Sequence, residues 1–266
     1  MPNKKTDNAM RNLFIEKIYN LCDGKKAEEV FLSYIKSDGT QDDITYRSFG
    51  LKCELLMQKF QKSILHRKDR VLLLTPMSPF GCIAVTALAI SELVSVVLNP
   101  QLPEEELDSL VIKSDISGIV CDEEIYQKYA YKWTQKYPVF NIKTGDLFHD
   151  REYFSEPSKD SDDVLAILYS SGTTSEPKGV MITYEAQMKS AELLLRAFGT
   201  NDIRYLLVFP MFHVSGFSVF FALFLGGGQI GLLENTNSIK LMDGFQSTSQ
   251  MHLEWYQKFM KHFIRK

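Results

Sequence analysis

A hydroxyl-rich segment that ends in a lysine is the part of this sequence best suited to chemistry. It runs from Tyr169 to Val180 and reads YSSGTTSEPKGV. Hydroxyls donate to phosphate oxygens, glycine lets the backbone approach closely, and a lysine ammonium suits a phosphate. Backbone N–H groups in a turn after a strand also form an anion site. The candidate phosphate-binding residues are Ser170, Ser171, Gly172, Thr173, Thr174, Lys178 and Gly179.

The segment is not a Walker A loop. That pattern is G-x-x-x-x-G-K-S/T, whereas Gly179 here follows Lys178 instead of preceding it. Serine, threonine and glycine also cluster in ordinary turns, so composition alone favours a polar turn between a strand and a helix.

A second motif surrounds His213. Residues 209–217 read FPMFHVSGF and follow an apolar run that predicts a strand. A lone histidine beside aromatic side chains is more often structural than chemical, so a role for His213 depends on the whole motif.

Both motifs resemble those of a known family. The first is similar to the phosphate-loop signature Y/F-T/S-S-G-T-T/S-G-x-P-K-G-V of the adenylate-forming superfamily, which includes acyl-CoA synthetases, luciferases and peptide-synthetase adenylation domains. Residues 210–216 resemble its P-L/M-F/Y-H-x-x-G segment. Ser175 stands where the family usually has glycine, which costs about 1 kcal/mol if that position requires a positive φ.

The amino-terminal half carries weaker resemblances. ITYRSF at 44–49, KDRV at 68–71 and VLNP at 97–100 are similar to family segments and occur in the same order, so the likeness covers residues 25–235. These segments indicate a shared scaffold rather than chemistry.

The resemblance implies an acid–thiol ligase. Such an enzyme activates a carboxylate with ATP to an acyl-adenylate and then forms a thioester with coenzyme A, with Mg²⁺ bridging phosphate oxygens. By resemblance, residues 170–178 hold the β- and γ-phosphates, and His213 is the catalytic candidate that orients the acyl substrate. His213, Val214 and Gly216 would line the acyl side, and no residue is assigned to a metal.

Within the family, Thr183 and Tyr184 after the phosphate segment, together with FHVSG at 212–216, look most like o-succinylbenzoate–CoA ligases of menaquinone synthesis. Medium-chain fatty acyl-CoA synthetases are the alternative substrate class. No Y-G-x-T-E segment occurs in the sequence, and no T-G-D segment follows the motif at 209–217, where the family has its later landmarks. A truncated, inactive AMP-binding fragment and an unrelated binding protein with a fortuitous loop therefore remain as competing interpretations.

Composition and charge predict the kind of partner, the state of the cysteines and the cellular location. The net charge is −3 with interspersed acids and bases, which predicts no nucleic-acid partner. The four cysteines, Cys22, Cys53, Cys82 and Cys121, form no metal-like pair and are expected to be reduced and buried. The apolar stretches 81–98 and 217–233 are interrupted, so a helix followed by a strand explains each better than a membrane span. A cytoplasmic protein of unknown oligomeric state is expected.

The elements that must position the motifs alternate between strands and helices, which predicts an α/β fold with a mostly parallel sheet. We expect two stacked α/β lobes, as in the N-terminal domain of adenylate-forming enzymes: residues 1–150, and residues 151–242 with the phosphate loop. A polar connector at 144–163 would join them. The basic stretch 243–266 is atypical, and we interpret it as the product of an altered reading frame or, alternatively, an amphipathic helix. Expected strands are 30–35, 43–46, 71–74, 94–98, 118–121, 164–168, 205–209 and 229–233; expected helices are 8–21, 46–64, 80–90, one after Pro103, 184–198 and 217–225.

Overall fold

The computed structural model describes residues 4–141, 163–170, 177–199 and 203–234. The helices are α1 (Lys4–Asp23), α2 (Tyr46–Gln61), α3 (Pro79–Ile90), α4 (Glu104–Ser114), α5 (Glu123–Trp133), α6 (Tyr184–Phe198) and α7 (Val214–Leu225). The strands are β1 (Val30–Ile35), β2 (Gln41–Thr45), β3 (Arg70–Leu74), β4 (Val94–Val97), β5 (Gly118–Cys121), β6 (Val139–Asn141), β7 (Val164–Ser170), β8 (Lys178–Thr183), β9 (Arg204–Leu206) and β10 (Gln229–Leu233). The predicted connector at 144–163 lies outside the described residues except for Asp163, and the predicted tail at 243–266 lies wholly outside them.

Six strands form a sheet in the order β6-β5-β3-β4-β7-β8. All neighbours run parallel except β8, which is antiparallel to β7. The central strand β3 is apolar because both of its faces are covered. Leu72 and Leu74 pack with α4 and α5 on one side, and Val71 and Leu73 belong to the core on the other. The predicted mostly parallel sheet of an α/β fold is confirmed.

The second sheet has four strands in the order β2-β1-β10-β9. β1 pairs with β10 in parallel, with Leu32 opposite Ile230, and with β2 as a hairpin. Strands from both sides of residue 150 therefore occur in each sheet. β7 and β8 extend the sheet of β3 to β6, whereas β1 and β2 join β9 and β10. The boundary expected at residue 150 does not coincide with the division between the two sheets.

Aromatic side chains fill the helical layer between the sheets. The rings of Phe31 on β1 and Phe224 on α7 stack with centroids 4.5 Å apart, and Phe31 also meets Phe49 of α2 at 4.8 Å. The hydroxyl of the buried Tyr46 donates to the carbonyl oxygen of Gly228 at 2.6 Å, which satisfies its polar end. This core joins α2 and α7, which are far apart in the sequence.

Most predicted elements occur within a few residues of their expected ends. The two interrupted apolar stretches form α3 with β4 and α7 with β10, as predicted. Within the described parts of the chain, no helix is long and apolar enough to cross a membrane. All four cysteines are free and buried, as predicted. Helix α5 and strands β6 and β8 are not among the predicted elements.

Candidate functional site

The candidate phosphate segment connects two paired strands. β7 and β8 are antiparallel neighbours, and Ser170 at the end of β7 lies opposite Lys178 at the start of β8. The pairing brings the two ends of the segment together, and Lys178 is exposed. Gly179 follows it on the same edge strand. Ser171, Gly172, Thr173 and Thr174 lie outside the described residues.

The segment also leaves the sheet at a topological switch point. β4 and β7 are parallel neighbours, so their carboxyl ends lie at the same edge. The chain leaves β4 through α4 toward β5, which lies beyond β3, whereas it leaves β7 in the opposite direction toward β8. Open α/β sheets bind ligands in the crevice that such diverging connections leave at the carboxyl edge. The segment therefore begins at the sheet edge that this rule makes the first candidate for a ligand site.

Tyr169 and Gly179 form a close cross-strand pair. They lie opposite each other in the register, and a Cβ on Gly179 would lie 3.3 Å from the ring of Tyr169 and 3.0 Å from a methyl group of Ile167. The missing side chain lets the ring lie across β8, which explains the glycine without any ligand. The hydroxyl of Tyr169 lies 2.9 Å from Oγ of Ser114 on α4.

The second motif forms a tight turn into α7. The backbone N–H of His213 donates to the carbonyl oxygen of Pro210 at 3.0 Å, and His213 is the N-cap of the helix. Its side chain makes no capping hydrogen bond, is exposed, and meets the ring of Phe212 at 4.6 Å. Val214 is exposed as well. The imidazole is therefore accessible to a ligand and does not hold the helix terminus.

Gly216 has a different role in this turn. It is buried, and a Cβ there would lie 2.2 Å from the carbonyl oxygen of Pro210 and 2.3 Å from that of Phe209. Because both obstacles are backbone atoms, only glycine lets the turn pack on the first turn of α7. Sequence reasoning assigned Gly216 to the acyl side; its packing supplies a structural reason for the glycine.

The four cysteine thiols are poorly suited to act as nucleophiles. Burial raises the pKa of the Cys22 thiol to about 12 and raises the pKa values of Cys53, Cys82 and Cys121 as well. High thiol pKa values make thiolate nucleophiles scarce at neutral pH. In the portion of the chain that is described, no group of three or more His, Cys, Asp or Glu side chains could hold a metal ion.

Comparison with known proteins gives a family match over most of the chain. The sequence pattern of the AMP-binding enzyme family matches residues 22–250. 2-Succinylbenzoate–CoA ligase of Bacillus mycoides is 31% identical over 136 residues, covering 51% of this chain and 27% of that protein. The same-named enzyme of Oceanobacillus iheyensis is 26% identical and covers 83% and 44%. 4-Coumarate–CoA ligase 2 of Petroselinum crispum is 24% identical and covers 68% and 36%.

Solved structures agree on the fold. O-succinylbenzoate coenzyme A synthetase (MenE) from Bacillus subtilis in complex with AMP superposes with a TM-score of 0.71 at 20% identity, covering 88% of this chain and 58% of that one. ATP-bound MatB from Rhodopseudomonas palustris has a TM-score of 0.71 at 22% identity, covering 88% and 47%. The chain thus spans between about a quarter and somewhat over half of the length of these relatives. Because the family pattern extends over residues 22–250, which is most of the sequence, this chain belongs to the AMP-binding enzyme family.

Proposed function

We propose that this chain binds ATP through the segment between β7 and β8 and takes part in activating a carboxylate for transfer to coenzyme A. The observation that carries the proposal is the placement of the signature. The family's phosphate-loop string joins two paired strands at a topological switch point, with Ser170 opposite Lys178. Ligands bind at such points in α/β sheets.

The proposed reaction has two steps. A carboxylate oxygen of the substrate attacks the α-phosphorus of ATP, the bond to the bridging oxygen breaks, and pyrophosphate leaves. The thiol sulfur of coenzyme A then attacks the acyl carbon, loses its proton, and AMP leaves with the bonding electrons. The first step depends mainly on positioning and on neutralising phosphate charge.

Residues of both motifs have roles in this proposal. Ser170, Ser171, Gly172, Thr173, Thr174, Lys178 and Gly179 would hold the β- and γ-phosphates. Lys178 suits this role because its exposed ammonium begins β8 at the carboxyl edge of β7. His213 would orient the substrate carboxylate, beside Val214 and Gly216. The family resemblance implies Mg²⁺, and no residue is assigned to it; among the described residues no group of three or more His, Cys, Asp or Glu side chains could hold a metal ion.

The proposed carboxylate is o-succinylbenzoate. Several curated relatives are 2-succinylbenzoate–CoA ligases, including the one that covers 83% of this chain. The 4-coumarate–CoA ligase of Petroselinum crispum, which covers 68% of the chain, supports a second aromatic acid as the alternative. Both acids place a carboxylate on a side arm of a benzene ring.

Two measurements test the proposal. Calorimetric titration with ATP and with AMP should show binding of both, with ATP binding the tighter. Carboxylate-dependent exchange of radiolabelled pyrophosphate into ATP should then be highest with o-succinylbenzoate among o-succinylbenzoate, 4-coumarate and a medium-chain fatty acid. The absence of ATP binding would sink the proposal. ATP binding without exchange would favour an inactive AMP-binding chain, and higher exchange with another acid would overturn the substrate alone.

A further inference from the structure

Helices α6 and α7 lie side by side in a single register. Near their starts, Nε2 of Gln187 on α6 donates to the carbonyl oxygen of Ser218 on α7 at 3.2 Å, 31 positions away. Near their ends, Leu195 and Gly226 are again 31 positions apart, and a Cβ on Gly226 would lie 2.4 Å from Cδ2 of Leu195. Because start meets start and end meets end, the two helices run parallel.

Gln187 is a costly residue for this interface. With Tyr184 and Ala191 it forms the buried stripe of α6, and only 1% of its surface is exposed. Its Oε1 is buried too and meets no donor among the described residues. Burying a polar atom without a partner costs stability. An apolar side chain of the same length would fill the position without that cost, so stability alone does not account for the glutamine.

The hydrogen bond from Gln187 is not needed to satisfy Ser218. Ser218 and Ala222 both lie within α7, so the helix itself supplies the carbonyl oxygen of Ser218 with the backbone N–H of Ala222. The amide of Gln187 is a second donor to the same oxygen, which has two lone pairs. What the bond adds is a connection from α6 to the turn of α7 that follows the N-cap His213.

We propose that Gln187 is a positioning residue that holds His213 through α7. Phe217, which precedes Ser218, donates its backbone N–H to the carbonyl oxygen of His213 at 3.0 Å, so the anchored turn is bonded directly to the N-cap. A fixed α7 keeps the imidazole in one place for the substrate carboxylate, and a group that is already ordered loses less freedom on binding. The inference rests on the proposed function, since it concerns the role proposed there for His213.

The test uses the full chain with Gln187→Met, which keeps the side-chain length and helix propensity but removes the donor. Ala191→Gly is the matched control from the same buried stripe, because it weakens α6 and leaves the hydrogen bond in place. The readouts are stability in urea, ATP affinity and the half-saturating carboxylate concentration in pyrophosphate exchange. The NMR resonances of the His213 ring protons add a readout that needs no activity, since the Phe212 ring lies 4.6 Å away and shifts them.

Gln187→Met should raise the half-saturating carboxylate concentration by about fivefold, as expected for the loss of one ordinary hydrogen bond. Stability and ATP affinity should match those of the wild type, and the His213 resonances should move. Ala191→Gly should lower stability and leave the other three readouts unchanged. Combined with His213→Ala, Gln187→Met should cause no further rise, because its effect passes through His213.

An unchanged half-saturating concentration or unmoved His213 resonances overturn the inference, and so does a rise that adds to that of His213→Ala. A parallel loss of ATP affinity shows a merely structural role and overturns it as well. A wild type without carboxylate-dependent exchange overturns the proposed function instead, and the His213 resonances then still decide whether Gln187 positions that residue. Should Gln187→Met fail to fold, Gln187→Leu removes the same donor and is read in the same way.

Discussion

Nη1 of Arg11 donates to Oδ1 of Asp163 at 2.6 Å, although the two residues are 152 positions apart. The contact joins α1 to the residue that precedes β7. Nε of Arg11 lies 2.9 Å from Glu92, an ion pair whose geometry is not that of a hydrogen bond. Glu92 also pairs with Arg67 and so retains a partner without Arg11, whereas Asp163 lies largely buried against Arg11.

Replacing Arg11 with methionine should lower the free energy of unfolding by about 3 kcal/mol, because it removes the ion-pair partner of a largely buried carboxylate. Urea denaturation at neutral pH measures this change. The matched control is Arg196→Met, since Arg196 pairs with Glu192 in an exposed i, i+4 contact and should contribute about 0.5 kcal/mol or less. Equal losses in the two variants would contradict the assignment.

The same substitution should make stability depend on pH in a defined direction. Burial raises the pKa of Asp163 above its ordinary value. The charge and hydrogen bond of Arg11 oppose this shift but do not cancel it. A carboxyl whose pKa is raised in the folded state binds protons more readily there than in the unfolded chain. Its contribution to the free energy of unfolding is therefore favourable at low pH and is lost as the pH rises through the folded-state pKa. Removing Arg11 raises that pKa further. The difference in the free energy of unfolding between the wild type and Arg11→Met should therefore shrink as the pH falls from about 7 to about 5. A difference that stays constant over this range would refute the prediction.

Gly216→Ala should destabilise the fold by about 3 kcal/mol or shift residues 209–213. The new Cβ would lie 2.2 Å from the carbonyl oxygen of Pro210, and backbone atoms cannot move aside as a side chain can. Thermal unfolding checks the effect. Val214→Ala is the control from the same helical turn, because its exposed side chain makes a change beyond about 0.5 kcal/mol unexpected. A fully stable Gly216→Ala would show that the turn yields easily.

Lys178→Ala should weaken ATP binding by about tenfold to a hundredfold and leave AMP binding unchanged. The physical reason is the loss of a charge-assisted contact to the β- or γ-phosphate, which AMP lacks. Calorimetry with both nucleotides measures the difference. Lys189→Ala on α6 is the control, since that ammonium pairs with Glu185 on the helix surface. If both variants behave alike, Lys178 has no special relation to phosphate.

His213→Ala should weaken the apparent affinity for the carboxylate substrate but leave the stability of the fold unchanged. The imidazole is exposed and makes no capping hydrogen bond, so unfolding should shift by about 0.5 kcal/mol or less. In carboxylate-dependent pyrophosphate exchange, the half-saturating carboxylate concentration should rise while ATP affinity stays constant. A large loss of stability would instead identify His213 as structural.

The four thiols should be unreactive in the native chain. All are buried, and burial raises the pKa of Cys22 to about 12. Thiol reagents act on thiolates, so labelling at pH of about 8 should be slow until urea unfolds the chain, and four groups should then react. Rapid labelling of any cysteine before unfolding would contradict the packing of the described residues.

Local patterns were sufficient for most elements of this protein. The apolar runs at 71–74 and 118–121 predict β3 and β5 without tertiary context. β8 is not predicted by a local pattern, because four of its six positions are exposed. An exposed edge strand has no buried face to produce an alternating pattern. Its pairing with β7 decides its structure.

The sequence by itself determined the family, the α/β class and the identity of the candidate phosphate segment, because these depend on residues that are neighbours in the chain. Only the tertiary structure decided that β1 pairs with β10, that Gly216 packs on Pro210, and that Ser114 meets Tyr169. Those contacts join residues whose separation along the chain carries no local signal. They arise when the helices and sheets bury their apolar faces together, and packing of whole elements selects them.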